Sequence, residues 1–177
     1  MKMENNVRIS KDLYYLNIAK EVAKRSTCMR RRFGAVIVNQ DQIISTGYAG
    51  SPRKTKNCIE IGLCLRTELK LEHGHNYELC RSVHAEQNAI IHASRLDMIG
   101  GSLYLVSIKT DNDEVPEYRL PCMLCKRMII NAGLEEVVVL GPNQEVKKFA
   151  VFDWVQTDLG ELALKDGQLQ AKFPNGY

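Results

Sequence analysis

The chain has 177 residues, with 45% hydrophobic and 25% charged side chains and a formal net charge of +3. That balance is ordinary for a globular domain and excludes collagen-like, low-complexity and wholly disordered chains. No apolar run approaches the ~18 residues of a membrane span, the start MKMENNVRIS has no secretory apolar stretch, and the small net charge makes no demand for a nucleic-acid partner, so a cytoplasmic protein of one domain is expected.

Ser10 is placed to cap a first helix running to about Arg25, with Tyr15, Ile18, Ala19 and Val22 forming its apolar stripe. Phe33 to Val38 and Gln42 to Tyr48 read as two strands broken at Asn39-Gln40-Asp41, a β-hairpin. Gly50 to Ser82 has weak periodicity, and a structureless loop of that length needs an anchor, for which a metal is one candidate. A helix is expected from His84 to about Asp97, stopped by Gly100-Gly101, and Ser102 to Ser107 (SLYLVS) is a strand. After a polar loop, Pro121 suits position N1 of a helix ending at Gly133, and Glu136 to Leu140 (EVVVL) is another strand. Crossovers on either side of SLYLVS predict parallel, right-handed pairs there. From Gly160 onward, an alternation around Asp166-Gly167 suggests a hairpin.

Six cysteines in a chain from a reducing compartment point to metal binding before disulfides. Two of them, Cys122 and Cys125, form C-x-x-C behind Pro121, while His84-Ala85-Glu86 opens the preceding helix. Either half alone is weak, since a lone histidine is usually structural and a lone C-x-x-C can be redox-active. Together they supply imidazole and two thiolates, the three protein ligands of a catalytic zinc with one place left for water. Residues three apart on a helical turn face the same way, and a helix N-terminus favours thiolates. Glu86, two residues from the ligand, is placed for acid–base work without binding the metal. H-x-E with P-C-x-x-C is the signature of zinc nucleobase deaminases.

Over residues 10–140 the chain resembles the cytidine/deoxycytidylate deaminase family, and its deoxycytidylate branch in particular. The matching stretches are RSTCMRRRFGAVIV (25–38), ISTGYAGSP (44–52), CRSVHAEQNAII (80–91), SLYLVS (102–107) and PCMLCKRMIINAGLEEVVV (121–139). The resemblance implies a three-layer α/β/α fold around a mixed sheet of about five strands, spanning 1–177, with 141–177 as an extension. It implies zinc on His84, Cys122 and Cys125, with Glu86 moving protons while water attacks C4 of a cytosine ring. The leading activity is deamination of dCMP to dUMP and ammonia, which would supply dTMP synthesis. The alternatives are a zinc deaminase of cytidine, another amino-heterocycle or tRNA adenosine, and a non-catalytic zinc- or nucleotide-binding module. Glu86 argues against the last, because a closed structural site has no use for an acid–base group beside the metal.

Relatives also imply a second, structural Zn2+, for which Cys28 and Cys58 match two ligand positions and Cys64, Cys80, His73 and His75 could complete the set. Residues 24–56 carry eight basic side chains against Asp41 alone, which suggests phosphate recognition or merely a solvated face. Tyr48, Ser51, Arg53, Ala85 and Arg32 are candidate substrate or effector contacts. Ala49 stands where many relatives have Asn, so a sugar contact must come from elsewhere, and segment 141–144 (GPNQ) lacks the aromatic and basic groups that often grip nucleotide there. Family behaviour further implies dCTP and dTTP as effectors, with Mg2+ accompanying a triphosphate, and a homo-oligomer, either dimer or hexamer. His92, Phe152 and Trp154 are read as structural or interface residues.

Overall fold

The computed structural model describes residues 8–71 and 76–157, together with two further strands, 161–165 and 168–172, as backbone. Helix α1 (Lys11–Ala23) is capped by Ser10, whose Oγ accepts from the Leu13 amide at 3.2 Å. Strands β1 (Arg32–Asn39) and β2 (Gln42–Tyr48) form the expected antiparallel hairpin. Gln40 and Asp41 both take positive φ at its turn, as a tight two-residue connection requires. The sheet continues with β3 (Ser102–Ile108), β4 (Glu136–Leu140) and β5 (Val146–Ala150), in the order β2-β1-β3-β4-β5.

This is the mixed five-stranded sheet implied by the resemblance, with two corrections. The pair β3–β4 is parallel, but β3 lies antiparallel to β1. The crossover from β2 therefore passes over β1 before the chain enters β3, and β2 and β3 never pair. The second correction concerns helices. The segment expected as one helix from His84 to Asp97 is broken into α4 (Ala85–Ile91) and α5 (Arg95–Met98). His92 closes α4 because its ring Nδ1 is tied to the Thr46 carbonyl at 2.9 Å, and Ser94 then starts α5 with extended backbone.

Each face of the sheet is covered. On one, Val36, Val38, Tyr104, Val106 and Val138 bury Tyr15, Leu16, Ala19 and Ala23 of α1. On the other, Ala35, Ile37, Leu103, Leu105, Val137 and Val139 pack against α4, α5, α6 (Met123–Ala132) and α7 (Val151–Gln156). α6 ends at Gly133 in the left-handed conformation, as expected, but Cys122 is its N-cap, so Pro121 stands one residue outside the helix, not at N1. Trp154 is buried in that core, while Phe152 is 65% exposed.

The 51–82 segment is not structureless. It contains α2 (Cys58–Ile61), α3 (Leu65–Glu68) and a 3-10 turn (Tyr77–Leu79). Asn57 and Glu60 form a reciprocal capping box at α2. The expected late hairpin is present as β6 (Glu161–Lys165) paired antiparallel with β7 (Gln168–Lys172). No helix among the described residues is long and apolar enough to cross a membrane.

Candidate active site

Strand β2 seats the first half of the site. An added Cβ on Gly47 would lie 2.3 Å from both the Ala85 carbonyl oxygen and the Ala89 nitrogen, so only glycine lets α4 lie this close to the sheet. Ser45 Oγ donates to the Ala89 carbonyl at 2.7 Å, and Asn88 Nδ2 donates to the Tyr48 carbonyl at 2.8 Å. These ties, with that of His92, fix the start of α4. His84 precedes the helix with extended backbone, and its N–H donates to Gln87 Oε1 at 2.9 Å.

The second half comes from α6. Cys122 precedes the helix in the same conformation, and Cys125 sits on the first turn, fully buried. The two helix starts meet. His84 Nδ1 is 3.4 Å from Cys122 Sγ and 3.3 Å from Cys125 Sγ, and the three atoms all fall within 4.8 Å of one another. Zinc bonded tetrahedrally to nitrogen and sulfur at its usual lengths would hold those atoms about 3.5 Å apart. Imidazole with two thiolates is also the donor chemistry zinc favours, and three ligands leave one coordination place open. The residues therefore fit a catalytic zinc. Among the described residues this is the one group of three or more ligand-type side chains gathered at such distances.

The electrostatics of the site are those of a compact, largely buried cluster. Cys122 is pulled down to about 4, chiefly by the hydrogen bond with Cys125, with His84 helping against the opposing effect of burial. Cys125 moves up for the converse reason, holding the proton shared with Cys122, and burial and the Glu86 carboxylate push the same way. Burial works against the imidazolium of His84, but the Cys122 hydrogen bond and the charge of Glu86 together raise its pKa. Glu86 is 4% exposed, and burial lifts its carboxyl above the usual range although His84 opposes this. A buried carboxyl held in that state is suited to both taking and returning a proton.

These side chains open onto a cavity of about 480 Å³, whose wall includes His84, Ala85, Glu86 and Cys122. A volume of that order suits a small-molecule ligand. The 51–82 segment forms part of its wall. Arg66, 5% exposed, donates from Nη1 to the Asn76 carbonyl at 2.7 Å and stacks on the Tyr77 ring, which meets the His84 ring edge-on at 5.2 Å between centroids. The loop expected to need a metal anchor is thus pinned, in its described part, by a buried arginine and a tyrosine packed against the candidate ligand.

Of the other candidates, Ala85 and Ala49 line the cavity, whereas Tyr48, Ser51, Arg32 and Arg53 are not among its lining residues. Arg32 pairs with Asp113 at 3.2 Å, and Arg53 approaches His92 Nε2 at 3.4 Å. Ser51 Oγ is buried without a partner among the described residues. Cys28, Cys58, Cys64 and Cys80 all lie on the cavity wall as free thiols, but no three of them meet at ligand distance. His73 and His75 lie outside the described residues. The basic cavity residues that the sequence pattern did not single out as site residues are Arg30, Arg31, Arg66, Arg119 and Lys147, with Tyr118 and Phe149 among the aromatic ones. The pattern marked 24–56 as basic, but could not say which of its side chains turn inward.

Comparison with known proteins adds an independent line. The family model for the cytidine and deoxycytidylate deaminase zinc-binding region matches residues 9–141. The deoxycytidylate deaminase of Schizosaccharomyces pombe is 37% identical over 134 residues, 76% of this chain and 38% of that protein. The chain likewise spans 38% of the length of the Saccharomyces cerevisiae relative. The deoxycytidylate deaminase of Mycobacterium phage D29 is 33% identical over 129 residues, 72% of this chain and 91% of that one. Among solved structures, the dCMP deaminase of cyanophage S-TIM5 in apo form has the same fold, with a TM-score of 0.55 at 21% identity over 85% of this chain and 94% of that one.

Proposed function

The chain belongs to the cytidine and deoxycytidylate deaminase family, and on that premise we propose that it hydrolyses dCMP to dUMP and ammonia. One observation carries the reading. His84 Nδ1 stands 3.3–3.4 Å from two cysteine sulfurs, beside a buried Glu86 on the wall of the same cavity. His84, Cys122 and Cys125 would hold one zinc. Zinc, when bound, supplies the Lewis acidity that makes water a nucleophile near neutral pH.

The remaining work falls to the chain itself. Glu86 takes a proton from the attacking water on its carboxylate and delivers it to N3 of the cytosine ring, which makes C4 electrophilic. As the C4–N bond breaks, the second water proton passes through the same carboxyl to the amino group, which leaves as ammonia. Water and dCMP are thereby converted to dUMP and ammonia with every proton accounted for. Ala85 lies on the cavity wall between the ligand and the acid–base residue, where its backbone can orient the ring. Glu86 is 4% exposed, and that burial shields each proton from bulk water between the two transfers.

The names of the relatives favour the nucleotide over the free nucleoside, and six free thiols suit a reducing, cytoplasmic setting. The test is ammonia release by zinc-loaded protein from dCMP, deoxycytidine, cytidine and an adenosine-containing tRNA anticodon stem. The expected result is release from dCMP above all. Glu86→Gln should keep about one zinc per chain and lose at least ~10²-fold in kcat, the scale of general acid–base catalysis. Normal turnover by that variant would take Glu86 out of this role, and release from tRNA alone would replace the substrate.

A further inference from the structure

The described part of the 51–82 segment leads up to the candidate metal ligand. Helix α3 carries Arg66, 5% exposed, and the chain returns to it at Asn76 and Tyr77. A buried guanidinium needs partners. Arg66 finds one in the Asn76 carbonyl, to which Nη1 donates at 2.7 Å, and another in the Tyr77 ring, whose centroid lies 5.1 Å from Cζ. Asn76 is itself in the left-handed conformation, at φ 50° and ψ 50°, which asparagine tolerates better than most residues. The arginine therefore holds both the carbonyl of this turn residue and the ring that follows it.

Tyr77 in turn meets His84. The ring centroids are 5.2 Å apart and the planes are inclined at 80°, the edge-to-face arrangement that aromatic pairs favour. The backbone of His84 is fixed separately. Val83 before it exchanges two hydrogen bonds with Gly50, at 2.8 and 3.1 Å, and α4 begins just after it. Those bonds place the Cα but leave the imidazole its side-chain torsions, on which the direction of Nδ1 toward Cys122 and Cys125 depends. Ring packing against Tyr77 acts on just these torsions. Metal-binding histidines depend on an outer partner that fixes ring orientation, and here an aromatic ring with a buried cation behind it stands in that place.

We propose that Tyr77 is a positioning residue for His84, that Arg66 acts through it, and that the two together hold the imidazole in the orientation from which Nδ1 faces both sulfurs. The inference rests on the reading of His84, Cys122 and Cys125 as metal ligands. It gives the 51–82 segment a part in the metal corner.

The deciding experiment follows zinc transfer from the loaded full chain to a chromophoric chelator, beside the visible absorption of the chain loaded with Co2+, whose bands report the geometry of nitrogen and sulfur ligands. Tyr77→Leu keeps apolar bulk and removes the ring. It should weaken zinc binding at least ~10-fold, the scale on which outer partners of metal ligands act, and shift the Co2+ bands. Tyr77→Phe keeps the ring and should match wild type in both. Arg66→Met keeps the stem and removes the cation. It should weaken zinc binding several-fold alone and add little in the Tyr77→Leu background, as residues acting through one contact do. Ile59→Ala, which trims a side chain of the same segment that is 55% exposed, should change neither readout. Thermal melts confirm folding, and if Tyr77→Leu or Arg66→Met does not fold, the other decides together with Tyr77→Phe. Wild-type zinc affinity and Co2+ bands in Tyr77→Leu, or equal losses in Tyr77→Phe and Tyr77→Leu, would overturn the role of the ring. Additive losses in the double variant, or a higher KM for dCMP in Arg66→Met with both metal readouts unchanged, would overturn the coupling of Arg66 to His84. Ammonia release is scored separately. A chain that binds zinc, loses it in Cys122→Ser and releases no ammonia loses the deamination reading, while the metal readouts still decide this inference.

Discussion

The cavity has one wall made of helix starts seated on the sheet and another made of loops and side-chain ion pairs. In the first, His84 and Cys122 precede helices that pack into the main core, Cys125 and Glu86 are buried, and three hydrogen bonds, at Ser45, Thr46 and Tyr48, join β2 to α4 and its cap His92, with a close backbone approach at Gly47. In the second, Arg31, Glu117 and Arg119 are partly exposed and meet through a single carboxylate. The contrast separates two demands. Metal ligation tolerates errors of only a few tenths of an ångström, and the candidate ligands stand on elements that cannot move without disturbing the core. The basic lining residues Arg31, Arg119 and Lys147 are carried by loops and an edge strand, the kind of segment on which binding groups are commonly placed.

The largest effect on this comparison should come from Gly47→Ala. The new methyl would strike the α4 backbone at Ala85 and Ala89, where no side chain can rotate away. Overpacking of this kind typically lowers stability by about 1–3 kcal/mol. The helix must also move outward, taking His84 and Glu86 with it, and a misplacement near 1 Å can lower turnover by ~10²-fold. We expect a lower melting temperature together with a fall in kcat for dCMP and deoxycytidine alike. If kcat falls for the nucleotide only, the two walls are not independent.

The two walls also differ in how far they could be read from the amino-acid sequence. His-Ala-Glu and Pro-Cys-x-x-Cys are local patterns of ligand and acid–base residue types, so the candidate metal corner was legible before any fold was known. The basic wall was not. Arg31 and Arg32 are neighbours entering β1, and only the strand's facing decides that Arg31 meets the cavity while Arg32 turns to Asp113. Arg119 and Lys147 are brought to the cavity by tertiary packing, which spacing cannot reveal. β5 escaped notice because it is an edge strand reading Val-Lys-Lys-Phe-Ala, with exposed lysines in place of clean alternation. The break between α4 and α5 escaped for a similar reason, since Ala93-Ser94-Arg95 is acceptable helix sequence and the stop comes from the bond between His92 and Thr46. The antiparallel pairing of β1 with β3 follows from strand order, which local periodicity does not contain.

A smaller and more selective effect is expected of Gly141→Ala. Its backbone is ordinary extended chain, so alanine meets no conformational penalty there, but its methyl would collide with the Tyr118 ring. The ring can give way because it lies on a loop, and Arg119 follows it. We expect KM for dCMP to rise several-fold, kcat to change less than twofold, and the melting temperature to shift by only a few degrees. A large fall in kcat with unchanged KM would place Tyr118 beside the reacting ring, not at the edge of the cavity.

The smallest effect lies outside both walls, at the hairpin turn, and serves as the reference against which they are judged. Asp41 accepts from Lys11 Nζ at 2.5 Å and from the Tyr15 hydroxyl at 2.7 Å. The Lys11 hydrogen bond, followed by that of Tyr15, holds its carboxyl below the ordinary carboxylate value, and the same contact pushes Tyr15 up to about 12. A group whose folded pKa is depressed stabilises the fold above its unfolded pKa of about 4 and loses that contribution as the pH falls through the folded value. Asp41→Asn should therefore lower the urea midpoint slightly at pH 7, and the gap from wild type should close as the pH falls through the depressed folded pKa and the Asp41 carboxyl is protonated. The effect is small because Lys11 and Asp41 are more than half exposed and solvent screens their pair. Turnover and the preference for dCMP should be unchanged at pH 7. A shift in either would mean that α1, on the far face of the sheet, is mechanically coupled to the cavity, and the division of labour between its two walls would have to include the layer beneath them.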